Sequence, residues 1–285
     1  MLPFRKILFP VDYSDPCTAA LPYVKELVQH FNAQLSLVHA YGSEALALTD
    51  LALIDPALPA AAATAEHERL HKFAAEKFAA IHTETFVGLG EAAEIIHAQI
   101  SHQQADLVML PTHGRGPVRK MLLGSVAAKV LHDATAAVWT ATPDALSNAR
   151  GPYKSILCAC ALDETEDVVV LKAAAWIARS YNARLSILHI VNVVPISGAI
   201  DYVALQDSLR DAANIRLREL KAELGIDAPH RIAQGPVASS VRIEAERIQA
   251  DLIITGRGLE QGAISRFWSN LYPIVRESPC PVLSF

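Results

Sequence analysis

Asn32-Ala33-Gln34-Leu35-Ser36-Leu37-Val38-His39 returns later in the chain as Asn182-Ala183-Arg184-Leu185-Ser186-Ile187-Leu188-His189, an offset of 150 residues. Working outward, Arg5-Lys6-Ile7-Leu8-Phe9 resembles Tyr153-Lys154-Ser155-Ile156-Leu157, an offset of 149 from Ile7 to Ile156. Ala105-Asp106-Leu107-Val108-Met109 matches Ala250-Asp251-Leu252-Ile253-Ile254 at an offset of 145, and Gly90 and Gly235 each precede a helical pattern. Chance likeness between apolar strands explains one such pair but not an ordered series at near-constant offsets, so the chain reads as two copies of one unit. The first copy is expected over 1–146, a linker over 147–152 within the Pro/Gly-rich stretch Thr142 to Pro152, and the second copy over 153–285.

Each copy alternates strand and helix patterns. In the first, Lys6 to Val11 is a short apolar run ended by Pro10 and Asp12. Leu21, Val24, Leu27, Val28 and Phe31 recur at helical spacing over 19–31. Gln34 to His39 is a second strand, a loose Ala/Leu/Pro stretch runs from Gly42 to about Ala63, and 67–81 is helical. Strands at Thr83–Val87, Leu107–Leu110 and Ala136–Thr140 alternate with helices at Ala92–His102 and from Ser125. This alternation predicts an α/β fold with a mainly parallel five-stranded sheet covered on both faces in each copy. Ligands of such sheets sit beyond the carboxyl ends of the strands, where strand order reverses.

Of the 285 residues, 52% are hydrophobic and 19% charged, which excludes a disordered chain; the 13 glycines and 16 prolines are too few for a fibrous one. The net charge of −5 lacks the basic footprint of a nucleic-acid binder. No apolar run reaches the roughly 18 residues of a membrane span, and the first residues do not read as a signal peptide. Four scattered cysteines (Cys17, Cys158, Cys160, Cys280) suit a reducing compartment, so a cytoplasmic protein without membrane attachment is expected.

The chemistry concentrates after the fourth strand, in Pro111-Thr112-His113-Gly114-Arg115-Gly116, followed by Gly124-Ser125-Val126 at the start of a helix. Glycines let backbone N–H groups approach a ligand, and a helix N-terminus offers unpaired donors to an anion. Ser125 adds a hydroxyl or serves only as the N-cap. The stretch is neither a Walker motif, since no Gly-Lys-Ser/Thr is present to hold magnesium, nor a dinucleotide fingerprint. Asp12, at the same sheet edge, can accept from an exocyclic amine such as that of adenine, or cap the first helix in competition with Ser14.

Ile7-Leu8-Phe9-Pro10-Val11-Asp12, Leu37-Val38-His39, the Thr112–Gly116 glycine loop, Leu122-Leu123-Gly124-Ser125-Val126 and the closing Ser278-Pro279-Cys280-Pro281-Val282-Leu283 together resemble the universal stress protein family over nearly the whole chain, as a tandem. The resemblance implies two flavodoxin-like (adenine nucleotide alpha hydrolase-like) units. It implies ATP or another adenine nucleotide, with or without magnesium, bound in the first. Adenine would lie near Val11 and Asp12 at the end of the strand that closes in Pro10, Ala40 and Leu110 would line the adenosine pocket, and Gly114, Gly124, Ser125 and Val126 would lie near the phosphates, with His113 and Arg115 also among the nucleotide-binding residues. Pro111 departs from the family pattern, standing where its first glycine is expected and removing one N–H. In the second copy Ala161 aligns with Asp12, Leu259 with Gly114, and Ser269-Asn270 with Gly124-Ser125, so no nucleotide is expected there in the same manner. The resemblance also implies an internal pseudo-dimer pairing through the last strands (Ala137–Thr140 and Pro281–Ser284), with further homodimerisation open.

His67-Glu68-Arg69-Leu70-His71 is a literal zinc-protease motif, with Glu91 at the spacing of a third ligand. Its absence from the other copy and its place in a parallel α/β unit favour a polar, exposed helix face. Cys158 and Cys160 share one strand face and read as core. His39 and His189, at matching positions, read as structural. No carboxylate pair can be placed for acid–base work. The expectation is therefore a stress-response sensor or regulator that binds an adenine nucleotide, with at most slow ATP hydrolysis and with an unidentified protein partner. A nucleotide-free interaction scaffold and a zinc hydrolase using His67, Glu68 and His71 are the competing readings.

Overall fold

The computed structural model describes residues 3–42, 58–114, 123–147, 151–162, 166–192, 202–257 and 264–285. The chain divides into two compact units, Met1–Gly151 and Pro152–Phe285. No described helix is long and apolar enough to cross a membrane.

The first unit runs β1 (Lys6–Pro10), α1 (Asp15–Phe31), β2 (Gln34–Tyr41), α2 (Leu58–Lys77), β3 (Thr83–Leu89), α3 (Ala92–Gln103), β4 (Leu107–Pro111), α4 (Ser125–Asp133), β5 (Ala137–Ala141) and α5 (Pro143–Ser147). Its strands lie in the order β3-β2-β1-β4-β5, with every pairing parallel. β1 stands between β2 and β4, and Ile7, Leu8 and Phe9 are at most 1% exposed, which explains why this strand is apolar at successive positions rather than alternate ones. The chain winds from β1 out to β3 and then returns to β4 on the other side of β1. Strand order therefore reverses between β1 and β4.

The second unit repeats the plan with β6 (Ser155–Cys160), α6 (Glu166–Ser180), β7 (Arg184–Val191), α7 (Tyr202–Leu224), β8 (His230–Gln234), α8 (Val237–Ile248), β9 (Leu252–Thr255), α9 (Ile264–Glu277) and β10 (Val282–Ser284). Its order is β8-β7-β6-β9-β10, again parallel throughout. The α/β fold with two parallel-sheet units is thus as expected from the alternating pattern.

The matched residues of the repeat hold matched turns. Ser14 Oγ accepts from the Cys17 amide (3.2 Å) and starts α1. Asn32, in the left-handed region at φ 49°, ends it, and Asn182 takes the same conformation at φ 51° after α6. Asparagine tolerates this region better than most side chains. Gly90 (φ 137°) and Gly235 (φ 120°) turn the chain into α3 and α8, their amides donating to Tyr41 O and Val191 O at 3.0 and 3.3 Å.

Two local expectations change. The loose stretch was expected to reach Ala63, but α2 already begins at Leu58. The Ala60–Ala63 run lacks a face-defining apolar period yet has the highest helix propensity. Residues 43–57 lie outside the described part. The stretch from Thr142 to Pro152, read as a connector, opens with the short helix α5, whose Ala145 and Leu146 are buried. Tyr23 Oη of α1 lies 3.5 Å from Ala145 O, and its ring packs 5.1 Å from Trp139.

In the second unit Glu244 of α8 is buried and accepts from Arg231 of β8 (2.9 Å) and from Arg247 Nε and Nη2 (2.9 and 2.5 Å). The Arg247 hydrogen bonds hold its carboxyl below the usual glutamate range despite burial. A group whose folded-state pKa is depressed contributes stability above its unfolded pKa and loses it as pH falls through the folded value. Glu244→Gln is therefore expected to lower the urea midpoint at neutral pH. The deficit relative to the native chain should shrink below about pH 4, under the ordinary glutamate pKa. A deficit unchanged at acid pH would remove the ionic interpretation.

Candidate functional site

A cleft of about 300 Å³ opens at the carboxyl ends of β1 and β4, where strand order reverses. That volume is at the lower end of the range for small-molecule sites. Pro10, Val11 and Asp12 line it from β1 and the turn beyond, Ala40 from β2, and Leu110 and Pro111 from β4. His113 and Gly114 follow β4, and Gly124, Ser125 and Val126 start α4. These are the candidate residues named from sequence, brought together from four segments. Arg115 lies outside the described residues. Val38, Thr112, Ala127, and Ala92 and Ile96 of α3 also line the cleft and were missed. Thr112 and Ala127 adjoin the glycine motif and could have been included. Nothing in the local pattern distinguishes Ala92 and Ile96 from ordinary core.

Asp12 Oδ1 accepts from the Ser14 amide (3.0 Å) and hydroxyl (2.6 Å). Because Ser14 caps α1, the capping role weighed for Asp12 belongs to Ser14, and the Asp12 carboxylate is half-exposed at the cleft. A methyl group on Gly114 would lie 2.5 Å from Asp12 Oδ2. The glycine leaves room for this carboxylate, and a side chain there would force Asp12 Oδ2 to move. Gly124 is explained similarly. It has ordinary extended geometry (φ −61°, ψ 146°), its amide donates to Thr112 O at 2.8 Å, and a Cβ there would lie 3.1 Å from the same oxygen. The glycine brings the start of α4 against the end of β4. A side chain at 124 would press on the Thr112 carbonyl.

The Ala128 amide donates to Gly124 O at 2.9 Å, so the amides of Ser125, Val126 and Ala127 precede the first intrahelical bond of α4. All three residues line the cleft. They form a donor-rich, dipole-positive end suited to an anion. The Thr112 amide and hydroxyl both donate to Ala141 O (3.0 and 3.2 Å), so Thr112 Oγ1 accepts from His113 Nδ1–H (2.9 Å). In the neutral ring Nε2 then carries the lone pair; that atom is buried, with no hydrogen-bond partner among the described residues. Asp12 and His113 supply acceptors, α4 supplies donors, and Val11, Val38, Ala40, Ile96 and Leu110 supply apolar walls.

The second unit is built differently at the corresponding place. The Ala161 amide donates to Asp167 Oδ1 (3.0 Å), a buried carboxylate from α6. Ser269 and Asn270 lie inside α9, which starts at Ile264. Their amides are in the helical interior, whereas those of Ser125 and Val126 are at a helix start. His189 Nδ1 donates to Cys160 O (3.0 Å) as His39 Nδ1 donates to Val11 O (2.6 Å), so the matched histidines hold matched strand ends.

His67, Glu68 and His71 are exposed on α2, and His67 Nδ1 donates to Ala63 O of its own helix (2.8 Å). Glu91 instead pairs with Lys129 of α4 (2.6 Å). Among the described residues no three His, Cys, Asp or Glu side chains are grouped to hold a metal. All four cysteines are buried. Burial pushes the Cys17 thiol up to about 12 and also raises those of Cys158 and Cys160.

The sequence model of the universal stress protein family matches residues 3–141 and again 152–285. Universal stress protein A homolog 2 of Coxiella burnetii is 29% identical over 137 residues, which are 46% of this chain and 94% of that protein. Among solved structures, a functionally unknown protein of Pseudomonas aeruginosa PAO1 shares the fold with a TM-score of 0.69 at 17% identity, over 99% of this chain and 92% of its own. A universal stress protein of Archaeoglobus fulgidus does so with a TM-score of 0.66 at 18% identity, over 98% and 95%.

The Gly114 contact can be tested without any ligand. Gly114→Ala is expected to destabilise the chain by about 1–3 kcal/mol, as overpacking does. The Asp12→Ala, Gly114→Ala double variant should recover most of that loss in urea unfolding. Equal losses in both backgrounds would show that the methyl group meets something other than the carboxylate.

Proposed function

The chain belongs to the universal stress protein family, and on that premise we propose that its first unit binds an adenine nucleotide, ATP or a relative of it, as a ligand-linked sensor or regulator. The observation that carries the reading is one apolar cleft faced on one side by the Asp12 carboxylate and on the other by the free-ended amides of α4. Adenine fits between the apolar walls with its exocyclic amine donating to Asp12. Guanine would present a carbonyl oxygen to the same carboxylate, setting acceptor against acceptor. His113 Nε2 suits a ribose hydroxyl as donor. The phosphates belong at the start of α4, with the Ser125 hydroxyl beside them.

Pro111 bears on affinity. Proline has no N–H, and the Thr112 amide is engaged by Ala141 O, so anion binding rests on α4 rather than on the end of β4. A scaffold that takes no nucleotide is the second reading, favoured by Pro111. The second unit is assigned no nucleotide, because Ala161 replaces the acceptor and α9 covers the donors. We assign binding, not turnover, to the cleft.

Calorimetry on the whole chain separates the readings. ATP and AMP are expected to bind with one site per chain and GTP at least about tenfold more weakly, a difference of about 1.4 kcal/mol. Asp12→Ala should shrink that gap, and Ser269→Ala should leave binding unaltered. No heat from any nucleotide at high protein concentration leaves the scaffold reading. Loss of binding in Ser269→Ala would move the site to the second unit.

A further inference from the structure

We propose that His39 and Glu66 are positioning residues for the cleft: a proton held between them braces the turn from Val11 to Ser14, and its loss at higher pH loosens that turn. The turn carries Val11 and Asp12 into the cleft, yet Tyr13 within it has φ 60°, the left-handed region that a tyrosine adopts only at a cost. Leu162, at the matching position of the second unit, has φ 62°, so the turn belongs to the repeat, and in the first unit side chains of β2 and α2 pack on it. The Tyr13 ring lies 4.8 Å from the His39 ring and edge-on to Phe73 at 5.5 Å, with the Arg69 guanidinium over it at 3.9 Å.

His39 is 4% exposed. Its Nδ1 lies 2.6 Å from Val11 O, a group that only accepts. Its Nε2 lies 3.5 Å from Glu66 Oε2. A neutral imidazole has one N–H and would turn a lone pair toward the carboxylate; a ring facing two acceptors is satisfied when both nitrogens carry protons. Among the described residues, the charged and titratable groups about the ring include Glu66 and Arg69 of α2, with Arg69 3.7 Å from the same carboxylate oxygen, and the Tyr13 phenol. On β3 the residue in register is the apolar Val87. The imidazolium thus links Glu66 of α2 to the Val11 carbonyl, and through it to the turn that presents Asp12. His189 of the second unit holds the matching carbonyl, but its pKa is lowered by burial, which makes it an internal comparison.

Only the affinity arm of the test rests on the adenine reading. Nitrogen-15 NMR of labelled histidine in the full chain is expected to show His39, assigned by its loss in His39→Asn, protonated on both nitrogens near neutral pH. In Glu66→Gln, whose amide can donate to Nε2, it should be the Nδ1–H tautomer. The Asp12 and Ser14 amides should follow the His39 titration in the native chain and stay fixed in Glu66→Gln. ATP affinity should fall roughly five- to tenfold between about pH 6 and pH 9 in the native chain, the usual scale of coupling between sites. It should be weak throughout in Glu66→Ala and independent of that titration in Glu66→Gln. A neutral His39 near pH 7, or Asp12 and Ser14 amides that ignore its titration, overturns the proposal. If those amides titrate but no nucleotide binds, the adenine reading falls and the brace stands.

Discussion

The carboxylate of Asp106 accepts from the backbone amides of Arg5 and Lys6 at 2.8 and 3.1 Å, and the cleft depends on this clamp. A parallel sheet has no hairpins to set its register, so strand neighbours distant in sequence must be fixed by crossovers and by contacts at their ends. Asp106 stands just before β4 and seizes the start of β1, aligning Ile7 with Leu107 and Leu8 with Val108. At the opposite ends of the same two strands, Pro10 to Asp12 then lie beside Leu110 to Gly114. Asp251 performs the same operation on Lys154 and Ser155 at 2.7 and 3.1 Å. A hydrogen bond to an ionised acceptor is about twice as strong as a neutral one, which suits a single side chain that must hold two strands.

The two units separate the residues that both copies use for the fold from those that face a cleft in the first copy alone. Both keep the aspartate clamp, the left-handed asparagine after the first helix, the positive-φ glycine before the third crossover helix, and the histidine on the first strand's terminal carbonyl. The second unit lacks the acceptor of Asp12 and the helix start at Ser125, and at those places it has Ala161 and the interior of α9. Every shared feature satisfies a backbone group or a backbone conformation. The features confined to the first unit, a half-exposed carboxylate and the first amides of a helix, face a cleft.

The glycines of the cleft have a common logic that differs from positive φ. Gly114 makes room for the Asp12 carboxylate, and Gly124 makes room for the Thr112 carbonyl. Each lacks a side chain where two segments distant along the chain come together. The donors of α4 and the acceptor of Asp12 are thereby brought to one cleft rather than to separate surfaces.

The repeat, the strand–helix alternation and the side of the sheet where the site opens were all legible in the sequence, because periodicity and matched turn residues are local properties of the chain. So were Asp12, Gly114, Gly124 and Ser125, whose residue types announce acceptors, close approaches and helix starts. The Ala60–Ala63 run was misread as loose because its helix is specified by propensity without an apolar stripe, and α5 because its prolines and small residues resemble a connector until α1 buries Ala145 and Leu146. The tertiary structure alone decided that Ser14 and not Asp12 caps α1, that Ala92 and Ile96 wall the cleft, and that Tyr13 packs against His39 with Arg69 over its ring. Those outcomes depend on which side chains from distant segments compete for the same few ångströms, and that competition exists only once the strands are in register.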